Sequence, residues 1–134
     1  MDTYLSANQF LTSINNEVAE SRNQTYRDNL ASLRTLVLVI FTEDKTVVPK
    51  ESAWFGSEAG DETNLDKQRV FASETDKAVI PMRLQPLYQE DWIGFRTLDE
   101  RGGIAFETCV GEHMEIRECW KRLVRQYVGG EFVK

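Results

Sequence analysis

Six consecutive apolar residues, Leu36-Val37-Leu38-Val39-Ile40-Phe41, constrain this chain more than any other feature. The run does not alternate polar with apolar, and it is rich in β-branched side chains. A strand apolar on both sides is covered on both sides, as in parallel sheets packed between helices. The run ends at the polar turn Thr42-Glu43-Asp44-Lys45. A second strand is predicted at Ile104-Ala105-Phe106-Glu107-Thr108, leading into Val110-Gly111-Glu112-His113. The order is therefore helix, strand, polar turn with Asp, long excursion, strand, His, helix, which is an α/β arrangement. Two such strands are too few for an independent parallel sheet, because their edges would expose unpaired backbone groups. The pattern reads as the end of a larger sheet that is incomplete in this chain.

The remaining elements follow from local signals. A helix is predicted over residues 6–17, capped by Ser6, with Phe10, Leu11 and Ile14 on one side. Asn16 to Asn23 is polar and reads as a loop, and a second helix is expected from Thr25 to Ser32. Val47, Val48, Pro49, Trp54 and Phe55 suggest an ordered loop over 45–60, whereas the acidic stretch 57–67 is the expected mobile segment. Pro81 and Pro86 argue against a helix running through them. A short helix is expected at 91–100, stopped by Gly102-Gly103. A final amphipathic helix is predicted over 114–127, with Ile116, Cys119, Trp120, Leu123 and Tyr127 as its apolar stripe. Trp54, Trp92 and Trp120 are expected in the core.

Composition narrows the function. With 22 acidic and 16 basic residues, the chain has a net charge of -6 and no phosphate-binding footprint, so nucleic acid is not an expected partner. No apolar run approaches the roughly 20 residues needed to cross a bilayer. Met1 to Leu11 lacks the basic start and apolar stretch of a signal peptide, and none is expected there. The two cysteines, Cys109 and Cys119, show no zinc-type spacing, and no metal or cofactor is expected.

Chemistry concentrates at the ends of the two strands. His113 is the only histidine; it follows a strand and a glycine and precedes a helix. Functional groups of open α/β sheets gather at the carboxyl ends of strands, and a histidine there can exchange protons near neutral pH. The alternative is a surface or helix-capping histidine. Asp44 follows the other strand, and in a parallel pair both loops emerge on one sheet edge. Asp44 is then placed to hold the Nδ1 proton of His113; the alternative is an ordinary turn aspartate. Glu43 should point away from that direction. An acid followed by a histidine fits the chain order of α/β-hydrolases, in which a serine in G-x-S-x-G comes first. The nearest such sequence, Gly56-Ser57-Glu58-Ala59-Gly60, has its serine in the second position with no strand leading into it, so it is not a nucleophile elbow. Cys109 and Cys119 flank His113 and are either a disulfide tying its loop to the last helix or two small buried thiols. A cysteine nucleophile paired with His113 is a third reading, but nothing around Cys109 marks its surroundings as electropositive. Asn23-Gln24-Thr25 is a glycosylation sequon, a pattern common by chance.

Several segments together resemble the palmitoyl-protein thioesterase family: Phe10 to Asn15, Asn23 to Leu30, the strand into Phe41-Thr42-Glu43-Asp44, Val48-Pro49, Ser52-Ala53-Trp54-Phe55-Gly56, Pro86-Leu87-Tyr88 and Gly111-Glu112-His113. The resemblance spans about residues 5–128, and the Trp-Phe-Gly segment is its most specific part. It implies the C-terminal part of an α/β-hydrolase fold, with few parallel strands and flanking helices. Residues 1–34 would be the end of a helical insertion that shelters a fatty-acyl chain, and residues 35–134 the C-terminal part of the hydrolase core. Asp44 matches the acid and His113 the base of the catalytic triad. Asn23 matches a glycosylated position, and the location implied is lysosomal or secreted. The substrate class implied is palmitoyl-cysteine thioesters of proteins, with no cofactor. The cysteine pair departs from the family pattern, and the loop at 57–78 is altered in composition. With the nucleophile half absent, the isolated chain is expected to be inactive. Two alternatives accompany this reading. One is a truncated non-catalytic homologue that binds a partner or forms a homodimer over its sheet edge; the other is a small binding domain in which Asp44 and His113 are structural.

Overall fold

A computed structural model of the protein describes residues 2–59, 71–72 and 78–129. The greater part of the acidic stretch expected to be mobile therefore lies outside the described residues. The chain divides into two compact units, Met1–Leu36 with Met82–Ile104 and Val37–Pro81 with Ala105–Lys134.

The first unit is helical. Its opening forms two short helices, α1 (Asp2–Ala7) and α2 (Gln9–Ile14), where the sequence predicts one helix from Ser6. The break is at Asn8, whose side-chain oxygen accepts the Leu11 N–H at 3.0 Å and so restarts the helix. Ser6 instead donates to the Thr3 carbonyl. Phe10, Leu11 and Ile14 are exposed, and Thr12 is the residue of α2 that is buried, its hydroxyl turned onto the Asn8 carbonyl at 2.6 Å. A turn of 3-10 helix at Ala19–Ser21 interrupts the expected loop.

Helix α3 (Gln24–Ala31) is capped by Asn23, which accepts the Thr25 N–H at 2.9 Å. The buried Asn16, in the left-handed conformation, accepts from Asn23 N–H and donates to the carbonyls of Asn23 and Trp92. A polar side chain is tolerated in the interior because its bonds are made. Pro86 opens the single-turn helix α4 (Pro86–Gln89), using the first-turn position that needs no N–H. Helix α5 (Phe95–Glu100) buries Phe95 and Leu98 completely, each contributing about 2 kcal/mol of apolar transfer. Gly94 precedes it at φ +87°, and a methyl group there would sit 2.4 Å from the Arg27 carbonyl oxygen. Only glycine lets α3 and α5 approach this closely.

The second unit carries the sheets. Strand β1 (Leu36–Phe41) lies beside β5 (Ile104–Cys109) in a two-stranded sheet. Leu36 N–H donates to the Gly103 carbonyl, Thr42 N–H to that of Cys109 and Glu43 N–H to that of Gly111. The partners advance together, so the pair is parallel. Between the last two bonds the pairing slips by one residue at Val110, which is pushed out to solvent. Leu38 and Ile40 are buried while Val37, Val39 and Phe41 are half-buried, so β1 has one buried face, not two. An unbroken apolar run reads the same in either case, because valine and phenylalanine are tolerated at partly open positions.

A second sheet, absent from the sequence reading, is antiparallel in the order β2 (Ser57–Glu58), β4 (Ala78–Ile80), β3 (Phe71–Ala72). Ser57 pairs with Ile80, and Phe71 pairs with Val79, which is fully buried. Ser57 is thus a strand residue. The last helix, α6 (Cys119–Tyr127), starts five residues later than predicted, because Met114 and Arg117 adopt left-handed backbone that no α-helix accommodates. Leu123 is buried, whereas Ile116 and Trp120 are exposed. Glu107 of β5 holds α6 through Tyr127 Oη at 2.5 Å and the Arg122 guanidinium at 2.6 Å.

None of the three tryptophans is fully buried. Their indole N–H groups explain two of them: Trp54 donates to the Leu38 carbonyl and Trp92 to the Glu90 carboxylate, which draws the ring to an edge.

Candidate active site

The parallel pairing of β1 and β5 brings the two loops that follow them to one end of the sheet. His113 Nδ1 lies 2.8 Å from Asp44 Oδ2. An ionised carboxylate can only accept, so Nδ1 is the donor and Nε2 is left as the proton-accepting nitrogen. No other protein group bonds the His113 ring among the described residues.

Asp44 is set in a tight turn. Its N–H donates to the Phe41 carbonyl, and its Oδ1 accepts the N–H groups of Thr46 at 2.9 Å and Val47 at 3.1 Å. The side chain is 9% exposed, while that of His113 is 39% exposed. The bond to His113 holds the Asp44 carboxyl below the ordinary carboxylate range; burial works against this, and the two backbone N–H groups add to it. Asp44 is therefore a carboxylate at neutral pH, with each oxygen committed. Glu43 is exposed and contributes its backbone N–H to Gly111, which fastens the Asp loop to the His loop.

The His loop is closed at its base by a disulfide between Cys109, at the end of β5, and Cys119, at the start of α6. Cys109 is 1% exposed, and neither cysteine is a free thiol. Within the loop, Glu115 N–H donates to the Glu112 carbonyl at 3.0 Å, and Glu115 Oε2 accepts the Glu112 N–H at 3.1 Å. Glu115 was not singled out in the sequence; a glutamate two residues after the histidine and four after a glycine is the only trace it leaves there. The N–H groups of Thr46 and Val47 were equally invisible, although an aspartate followed by a polar turn is the pattern that produces them.

Asn23 is exposed, at the start of α3 in the first unit. Its side-chain oxygen serves the cap and its amide nitrogen has no protein partner among the described residues. No group of three or more His, Cys, Asp or Glu placed to hold a metal occurs among the described residues. No helix among them is long and apolar enough to cross a membrane.

Comparison with known proteins gives one consistent result. The model of the palmitoyl protein thioesterase family matches residues 1–113, a span that ends on the histidine of the dyad. Palmitoyl-protein thioesterase 3 of Dictyostelium discoideum is 38% identical over 115 residues, 86% of this chain and 35% of that protein. Palmitoyl-protein thioesterase 1 of Caenorhabditis elegans is 39% identical over 117 residues, 87% of this chain and 34% of its own length. Lysosomal thioesterase PPT2-B of Xenopus laevis is 31% identical over 110 residues, 82% of this chain and 33% of that protein. The chain spans about a third of the length of these relatives. A match over most of the sequence, on a partial α/β-hydrolase fold, means that this chain belongs to the palmitoyl protein thioesterase family.

Proposed function

We propose that this chain supplies the acid and the base of a serine-type acyl-transfer site that hydrolyses palmitoyl-cysteine thioesters. The observation that carries the reading is the 2.8 Å bond between His113 Nδ1 and Asp44 Oδ2, in a chain of this family. In the assembled site, His113 Nε2 takes the proton of a serine hydroxyl as its oxygen attacks the thioester carbonyl. Backbone N–H groups stabilise the oxyanion, the cysteine thiol leaves, and His113 then activates water to release palmitate. Asp44 holds the productive tautomer and stabilises the imidazolium throughout. The serine and the oxyanion donors lie outside these 134 residues, so the chain alone does not turn over.

Other parts of the molecule fit this proposal. Residues 1–34 are the end of an acyl-sheltering helical insertion, a role that suits the exposed Tyr4, Phe10, Leu11 and Ile14; residues 35–134 are the C-terminal part of the core. Asn23 is a glycosylation acceptor, and glycosylation together with a disulfide suits passage through an oxidising compartment to the lysosome. The test is labelling of the 134-residue chain with a fluorophosphonate, alongside hydrolysis of a palmitoyl thioester. No labelling and no turnover is expected; stoichiometric labelling of a serine in this chain would overturn the placement of the nucleophile elsewhere.

A second reading, a non-catalytic homologue that self-associates, draws on the sheet itself. Among the described residues β1 and β5 pair only with each other, so each presents an open edge that a second copy could cover. A monomeric mass at low concentration would count against it.

A further inference from the structure

We infer that Glu115 is a positioning residue for His113, acting by fixing the turn that aims the imidazole at Asp44. The inference rests on the Asp44–His113 reading above. His113 is the second residue of a four-residue turn, Glu112 to Glu115, and Glu115 closes that turn twice. Its N–H donates to the Glu112 carbonyl, and its carboxylate accepts the Glu112 N–H, the backbone group immediately before the histidine. The other carboxylate oxygen is paired with Arg117. Met114, between histidine and glutamate, sits at φ +59°, a conformation a methionine does not hold without such closure.

Gly111 is shaped to this arrangement. A methyl group there would lie 2.9 Å from Glu115 Oε2, 3.1 Å from its carbonyl oxygen and 3.2 Å from its Cβ. Gly111 also adopts φ +150°, and its carbonyl accepts the Glu43 N–H. Backbone on the near side of His113 is thus pinned at two successive residues: at 111 to the segment bearing Asp44, and at 112 to Glu115. The Glu115 carboxyl lies below its ordinary range, owing to the Glu112 N–H and then Arg117, with burial opposing. It is ionised at neutral pH and accepts through both oxygens.

The single histidine gives one ring pattern in long-range proton–nitrogen NMR spectra of the labelled chain. With the ring neutral, the wild type is expected to be predominantly Nδ1-protonated. Glu115→Ala, with its fold checked by circular dichroism, is expected to lose the Nδ1–H signal and draw the two ring nitrogen shifts together as the tautomers mix. Glu115→Gln keeps an accepting oxygen and is expected to retain the wild-type pattern. Should the alanine chain not fold, Glu115→Met, which preserves length and packing without an acceptor, reads the same loss. An unchanged tautomer in a folded alanine or methionine variant overturns the inference, as does a glutamine variant that mixes as fully as alanine. Asp44→Asn separates this from the underlying reading: a wild-type pattern there overturns the dyad and the inference with it. A changed pattern there, with Glu115→Ala unchanged, overturns the inference alone.

Discussion

At the scale of single residues, the site depends on a carboxylate whose two oxygens are assigned different tasks. Asp44 Oδ1 is held by backbone and Oδ2 by the imidazole. Asp44→Asn preserves the size of the side chain but offers an N–H where an acceptor is needed. On the function proposed above, it is expected to lower the kcat of the assembled site by about four orders of magnitude, as loss of the acid does in serine triads; steady-state kinetics on a palmitoyl thioester checks this. The same carboxylate gives the fold a pH dependence. Asp44, Asp99 beside Arg83, and Asp91 are all held below the usual aspartate range; for Asp91, burial alone would raise the value, and Thr97 and Arg27 outweigh it. Their stabilising contribution is complete above the unfolded aspartate value of about 4 and is lost as pH falls through the lower folded values. Urea midpoints measured from about pH 5 down to about pH 2 should therefore decline; a flat profile would contradict the assigned pairs.

At the scale of elements, two features are open to measurement. The Cys109–Cys119 bond closes a short loop around His113, and a cross-link over ten residues is worth about 2.5 kcal/mol on the chain-entropy account. Cys119→Ser should lower the unfolding free energy by about that amount, read from denaturant titration without reductant. Gly94→Ala adds a methyl 2.4 Å from the Arg27 carbonyl at positive φ, and is expected to cost roughly 1–3 kcal/mol in the same experiment.

The elements also show what a sequence can disclose. The apolar run of β1, the strand before His113 and the small-residue stops after α5 were legible because each is a contiguous pattern that needs no partner to be recognised. The split of α1 from α2 was not, because it turns on one side-chain bond from Asn8 to the Leu11 N–H that competes with helix continuation. The late start of α6 was hidden for a related reason: the apolar spacing of residues 116–127 continues smoothly through a backbone that does not. The sheet of β2, β3 and β4 is built from two- and three-residue strands, too short for any period to register. Asp44 and His113 could be paired in advance only by supposing the strands parallel. Glu115 could not be found at all, since its partner is a backbone N–H three residues away.

For the whole molecule, the sequence places the chain in its family and the structure orders the dyad, while the two units follow a path that crosses between them at residues 36–37, 81–82 and 104–105. Each unit is assembled from two separate stretches of chain. No single cut releases either one intact, and a fragment ending near residue 81 keeps Asp44 but loses the strand that carries its histidine partner. Limited proteolysis should accordingly yield nicked chains that stay associated, with no stable half recovered on separation. For anyone grafting this site onto another member of the family, the transferable unit is then not an interval of sequence but a pair of intervals that must travel together.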